Sequence, residues 1–469
     1  MTSLKGPQMF NDFLGRKPSP RANVVQLKPV SAAQDASSMP EIDLELQKWL
    51  ELKSSLHEAM LDRLNLSVID KMEPSEFKRQ IAGLVAQLLA DQGRSLGPDR
   101  VQLLVEELIF EVTGLGPLEP LLADPTINDI LVNSHQNVYV ERFGKLERTQ
   151  VRFRDERHLL RIIDKIVSSI GRRVDESQPW VDARLADGSR VNAIIRPCAV
   201  DGPSLSIRKF AAKPYSLDRL VQAKALTRPA AEVLRGLVEA RLNILISGGT
   251  GSGKTTMLNA MSAFIDTSQR IVTIEDAAEL QLQQDHVVRL ETRPASIEGT
   301  GAITQRELVR NALRMRPDRI IVGEVRGAEC FDMLQAMNTG HDGSMTTVHA
   351  NTARDALGRL EQMVTMLGAD IPMRTIRSQI ASSIDVIVQL SRHSDGGRRV
   401  ISISEVNGTE ADVITMQDIF AFRQRGKSET GEVLGEMVYT GIRPQFMDRL
   451  TAAGVKLPAD VFEFDGVQG

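Results

Sequence analysis

Apolar spacing changes character several times along this chain, and each change predicts a different kind of element. Residues 1–40 show no periodicity and are rich in Pro, Ser, Lys and Gln, which predicts an unstructured arm or tether. From residue 41, Trp49, Leu50, Leu56, Met60, Leu61 and Leu64 recur at helical spacing. Ile81, Leu84, Val85, Leu88 and Leu89 do the same, as do Val101, Leu104, Val105, Leu108, Ile109 and Val112. Three amphipathic stripes predict a helical bundle over 41–112 whose faces form a mutual core.

Gly114, Gly116 and Pro117 end that pattern. Short β-type runs follow at 129–132 and 137–140, then a helical stripe of Leu159, Leu160, Ile163 and Ile166, then two more β runs at 189–195 and 204–208. These predict an α/β domain over 113–210. Pro214 disfavours a helical residue before it and marks a linker at 211–217. From 218 to 469, apolar runs alternate with helical stripes, as in a doubly wound parallel sheet.

The run Gly248-Gly249-Thr250-Gly251-Ser252-Gly253-Lys254-Thr255 follows the apolar stretch 242–247 and precedes the helical stretch 256–265. It matches G-x-x-x-x-G-K-[ST] at every fixed position, in the strand-loop-helix context that the motif needs. The glycines let successive N–H groups converge on a phosphate, and the helix N-terminus adds partial positive charge. Lys254 is then expected to reach the β- and γ-phosphates, the Thr255 hydroxyl to ligate Mg²⁺, and Thr256 to continue the cradle. ATP and Mg²⁺ are the expected cofactors.

Two further strands end in acids. One is Ile271-Val272-Thr273-Ile274-Glu275-Asp276, and the other is the run 317–326, which carries Glu324. Ligands of open α/β sheets sit beyond the C-terminal strand ends, so both acids are expected near the phosphate loop. Hydrolysis needs one carboxylate to orient water and another to hold Mg²⁺ or its hydration shell; Glu324 is assigned to the water and Glu275 to the metal. His341 and His349 bracket a short β run within 339–351. Their chemistry alone fits either ordinary packing or hydrogen bonding to a γ-phosphate.

Composition narrows the class. The net charge of −4 argues against a general nucleic-acid binder, and no run of 18 apolar residues suggests a membrane span. The first residues lack the apolar core of a secretory signal. Cys198 and Cys330, the only cysteines, fit a reducing compartment and exclude a C-x-x-C zinc site. The expected location is cytoplasmic, peripheral to a membrane through partners.

Together, the phosphate loop, the acids at Glu275 and Asp276, the strand through Glu324 and the two-histidine box resemble the secretion ATPase superfamily of type II and type IV secretion and type IV pili. Gly323-Glu324-Val325-Arg326-Gly327 and the run from Met333 to Ser344 are similar in wording to the CpaF-like branch that serves tight-adherence (Tad/Flp) pili. Many retraction and type II relatives instead carry Asp at the position of Gly327 and an apolar pair at Asp342-Gly343. Type II assembly ATPases usually carry a four-cysteine zinc module, which two cysteines do not build. The resemblance implies a RecA-like P-loop domain, a smaller PAS-like N-terminal α/β domain that covers the nucleotide, and a homohexamer. It also implies that Arg190 and Arg208, with Arg196 as a weaker third, reach the phosphates when the domains close. Implied partners are inner-membrane pilus platform proteins, with regulatory or localisation proteins at the N-terminal region and no nucleic acid. The rival readings are a nucleic-acid translocase or recombinase, which predicts a basic channel, and an ATP-binding scaffold without turnover.

Overall fold

The computed structural model describes residues 39–61, 63, 72–210, 215–293, 295, 300–368 and 371–463. Most of the arm expected over 1–40, and residues 211–214 of the expected linker, lie outside the described residues. The chain divides into two compact units, Met1–Ala211 and Ala212–Gly469.

In the first unit, helices α1 (Met39–Leu61), α2 (Pro74–Asp91) and α3 (Pro98–Thr113) pack through the predicted stripes. Leu56, Met60, Ile81, Val85, Leu104 and Leu108 are buried together, although Leu61 is exposed and Leu64 lies outside the described residues. Pro at the first turn of both α2 and α3 suits a helix start, where its missing N–H costs nothing.

A short helix α4 (Glu119–Ala123) leads into β1 (Ile127–Ser134), β2 (Asn137–Arg142) and β3 (Lys145–Arg148). Helix α5 (Glu156–Ser169) is followed by β4 (Trp180–Arg184), β5 (Arg190–Ile194) and β6 (Ser204–Arg208). The strands form one antiparallel sheet in the order β3-β2-β1-β6-β5-β4. Asp155 caps α5 by accepting from the His158 amide, and Ile163, Ile166 and Val167 bury against Ile130, Val132 and Leu205. The edge strand β3 is exposed throughout, so it carries no apolar signal in the sequence.

The helical bundle and this sheet form one unit rather than two. Glu111 of α3 accepts His158 Nε2 of α5 at 2.9 Å and pairs with Lys53 of α1 at 3.1 Å, and all three side chains are buried. Partners on both sides hold the Glu111 carboxyl down at about 2 against the opposing effect of its burial.

The second unit runs α6 (Leu217–Gln222), α7 (Arg228–Glu239), β7 (Ile244–Gly248), α8 (Lys254–Ser262), β8 (Ile271–Glu275), β9 (Val287–Glu291) and α9 (Gln305–Ala312). It continues with β10 (Arg319–Val325), α10 (Glu329–Asn338), β11 (Met345–Val348), α11 (Ala353–Thr365), α12 (Met373–Ser383) and β12 (Val386–Arg392). Strands β13 (Arg398–Glu410), β14 (Val413–Lys427) and β15 (Val433–Tyr439), then helix α13 (Met447–Ala452), complete it. The sheet order is β15-β14-β13-β12-β7-β11-β10-β8-β9. Counting β7, β8, β10, β11 and β12 in chain order, the sheet reads fifth, first, fourth, third, second, which is the RecA-like arrangement.

The expected all-parallel sheet needs correction, because β12 to β15 pair antiparallel. Five residues separate β12 from β13 and two separate β13 from β14. Parallel strands need a crossover of a dozen residues or so, which these loops cannot supply. Strands β7 and β8 are buried along their whole length between two apolar layers, so their continuous hydrophobicity reads correctly as interior strand.

Candidate functional site

The phosphate loop leaves β7 at Gly248, where no side chain fits. A Cβ there would lie 2.4 Å from Ser252 Oγ and 2.9 Å from the Leu390 carbonyl. Gly251 and Gly253 have φ of 67° and 98°, the left-handed region that only glycine adopts cheaply. Helix α8 then starts at Lys254 with no side-chain cap, so its first N–H groups face the loop. Thr255 and Thr256 are half-buried in that first turn. Lys254 Nζ donates to the carbonyls of Gly248 at 3.0 Å and Gly249 at 3.1 Å, and stands 4.0 Å from Glu324 Oε1. The loop thus holds its lysine folded back over the phosphate position.

Glu324 sits near the C-terminal end of β10. Arg326 Nε donates to its Oε2 at 2.9 Å, and the same guanidinium reaches Asp276 at 3.4 Å. Buried Glu329 accepts the amides of Arg326 and Gly327 and so fixes this turn. Lys254, Glu324 and Arg326 therefore form one charged line across the strand ends.

Glu275, last residue of β8, is buried. Its Oε2 accepts the amides of Glu279 at 2.7 Å and Leu280 at 2.9 Å, while Oε1 is buried with no hydrogen-bond partner among the described residues. Burial pushes its carboxyl up to about 7, against the opposing pull of those amides and of Arg289. Gly323 makes room for it, since a Cβ there would lie 2.9 Å from Glu275 Cγ. An orphaned, half-neutral carboxylate oxygen at a strand end fits a cation or one of its waters. With the Thr255 hydroxyl it offers oxygen ligands of the kind Mg²⁺ takes, and the ion would supply charge neutralisation at the phosphates.

The two histidines do not come together. His349 is exposed one residue beyond the C-terminal end of β11, where Val348 pairs with Ser247 of the phosphate-loop strand. His341 lies before the N-terminal end of β11, at the opposite end of the strands, and its Nδ1 contacts the Ala336 carbonyl at 3.2 Å. Assigning His341 to the γ-phosphate therefore needs correction, because it stands at the end of β11 away from the phosphate loop. The turn that follows it is a structural staple. Arg319, fully buried, donates to the Gly343 and Val238 carbonyls, and Asn243 Oδ1 accepts the amides of Gly343 and Ser344. Gly343, with φ of 83°, is obligatory because a Cβ would meet Arg319 Nη1 at 2.5 Å.

The arginines of the first unit form a row. Arg184 pairs with Arg190, Arg190 with Arg208, and Arg208 with Asp129, across four neighbouring strands. Arg208 Nε donates to Asp129 Oδ1 at 3.0 Å and stays more than half exposed. Arg196 is not part of this row: it lies past the far end of β5 and pairs with Glu156 at 3.4 Å. Arg184, and Arg392 and Arg398 at the facing ends of β12 and β13, carry no signal in the sequence, because nothing in one sequence distinguishes a solvated strand arginine from one facing a ligand.

A family model described as "Type II/IV secretion system protein" matches residues 111–432. The chain belongs to this secretion ATPase family. A putative conjugal transfer protein of Mycobacterium tuberculosis is 40% identical over 349 residues, covering 73% of this chain and 98% of that protein. Conjugal transfer protein TrbB of Rhizobium radiobacter is 34% identical over 290 residues, 61% of this chain and 86% of its own. Among solved structures, the VirB11 ATPase of the Brucella suis type IV secretion system is 30% identical, with a TM-score of 0.34, and covers 62% of this chain and 95% of its own. The matched region takes in the phosphate loop, both strand-end acids, both histidines and the arginine row. No helix among the described residues is long and apolar enough to cross a membrane.

Proposed function

We propose that this secretion-family chain is an ATP-hydrolysing motor subunit that works as a homohexamer at the cytoplasmic face of the inner membrane. The observation that carries this reading is Lys254 held between the loop carbonyls and Glu324, 4.0 Å away, at the ends of nearby strands. Lys254 binds the β- and γ-phosphates, Glu324 orients the attacking water, and His349 contacts the γ-phosphate. Thr255 and Glu275 hold Mg²⁺ or its waters. Arg208 and Arg190 of the first unit supply guanidinium forks to the phosphates in the closed, assembled state, because an always-charged planar fork suits phosphate oxygens.

The wording of residues 323–327 and 333–344 supports the tight-adherence branch, with the motor adding pilin to a filament, or removing it, through a membrane platform. A second reading, a motor for conjugal or type IV secretion, is favoured by the names of relatives 40% and 34% identical. Purified full-length protein tests the enzyme: ATP turnover in a ring-sized particle is expected for the wild type and none for Lys254→Ala. Deleting the gene then separates the two cargoes. Loss of surface pili with conjugation intact supports the first, and the reverse supports the second. Equal turnover in wild type and Lys254→Ala would sink the motor reading.

A further inference from the structure

Strand β10 gains one residue on its neighbour β11 just where it delivers Glu324. Val322 pairs with Thr346 and Val325 with Val348, so three steps along β10 match two along β11. The extra residue makes a bulge at Gly323 and Glu324, and a bulge re-aims the side chain it carries. Neighbours on both sides hold it. Thr347 Oγ1 of β11 donates to the Gly323 carbonyl at 2.8 Å. Glu275 of β8 closes in from the other side, since a Cβ on Gly323 would lie 2.9 Å from its Cγ.

The backbone under Glu324 is thus fixed, but its side chain is only partly buried and needs a holder of its own. Arg326 is that holder. Its Nε and Nη2 both donate to Glu324 Oε2, whereas Oε1 is the oxygen 4.0 Å from Lys254 Nζ. One oxygen is tethered, and the other is turned toward the phosphate-loop lysine. Arg326 is tethered in turn. Its Nη1 reaches Asp276 Oδ2, one residue past the end of β8, at 3.4 Å, and buried Glu329 accepts its amide at 2.6 Å. A guanidinium keeps its three nitrogens in one plane, so contact at Asp276 sets the direction of the two N–H groups that meet Glu324. A lysine ammonium, a point charge on a flexible stem, would not hold that direction.

We propose that Arg326 is the positioning residue of Glu324, holding Oε2 so that Oε1 takes the proton of the attacking water. This rests on the hydrolytic reading of Glu324 given above. In that step the water proton passes to Oε1 and the water oxygen bonds to the γ-phosphorus. The bond to the bridging oxygen breaks, and its electron pair leaves on ADP. Arg326 touches neither water nor phosphate in this assignment. Its effect passes through Glu324, so it belongs in kcat, not in affinity, and disappears once the Glu324 carboxylate is gone.

Steady-state turnover and equilibrium binding of a fluorescent ADP, both on full-length protein, test this. Arg326→Ala is expected to lower kcat by about 10²-fold, the cost of misplacing a reacting group by about an ångström. KM and ADP affinity should stay within about three-fold of wild type. Arg326→Lys, which keeps the charge but not the plane, should fall between the two. The decisive comparison is the double variant. Arg326→Ala combined with Glu324→Gln should turn over within about three-fold of Glu324→Gln alone, whereas an independent role would multiply the two losses. If Arg326→Ala fails to fold, Arg326→Lys carries the same cycle. Losses that multiply overturn the proposal, as do an unchanged kcat in Arg326→Ala or a loss confined to KM. Wild-type protein without turnover would instead overturn the ATP reading, and this inference with it.

Discussion

His341 and His349 stand at opposite ends of strand β11, with its four residues, Met345–Val348, between them. At about 3.3 Å per residue those four span roughly 13 Å, more than an imidazole can reach. The strand therefore divides one motif into two jobs: its start is packed against Arg319 and Asn243, and its end abuts the phosphate-loop strand.

His349→Ala is expected to leave ATP affinity within a few-fold and to cut turnover by roughly 10²-fold, the usual loss for one donor to developing charge. His341→Ala should do the opposite, costing about 1 kcal/mol of stability with turnover per folded molecule nearly intact. Paired melting and steady-state measurements check this; turnover losses of equal size in both would contradict the division.

Gly343→Ala forces a left-handed backbone on a side-chain residue and drives its Cβ into Arg319. About 3 kcal/mol of destabilisation is expected, from backbone strain plus a damaged charged hydrogen bond. Chemical denaturation measures it, and a change under 1 kcal/mol would show that Arg319 can move aside.

Glu324→Gln keeps size and polarity but cannot accept a proton from water as a carboxylate does. Retained ATP binding with hydrolysis reduced by 10²-fold or more is expected in single-turnover assays. Turnover near wild type would pass the role to Glu275.

Glu275 makes stability depend on pH in a definite direction. Its folded carboxyl is raised to about 7 from an ordinary 4.5, so the folded state binds more protons between those values. Stability from this group is fully present below pH 4.5 and falls as pH rises through 7, by up to about 3 kcal/mol. Glu275→Gln should flatten unfolding free energy across that window, and a slope identical to wild type would refute the assignment.

Arg208→Ala should cost under 1 kcal/mol of stability, because its pair with Asp129 is largely exposed. If the guanidinium meets the γ-phosphate, turnover falls by ~10³-fold while ADP affinity is unchanged. A full rate in this variant would remove the first unit from the chemistry.

The sequence by itself determined whatever depends on local order. A glycine pattern that only left-handed backbone satisfies, an apolar run buried on both faces, and a stripe repeating every three to four residues are each properties of neighbours in the chain. Hence the phosphate loop, β7, β8, β10 and helices α2 and α3 were legible directly. Only the tertiary structure decided what depends on which ends of strands meet. It set β12 to β15 antiparallel, because short loops outweigh a general α/β expectation, and it exposed β3, which therefore has no pattern to read. It sent His341 and His349 to opposite ends of β11, turned the Asp342-Gly343 turn into a bed for buried Arg319, and brought Arg392 and Arg398 beside Gly251 from more than a hundred residues away. Charged side chains look alike in sequence because exposed arginine costs nothing anywhere; only packing and strand order give each one a neighbour, and with it a role.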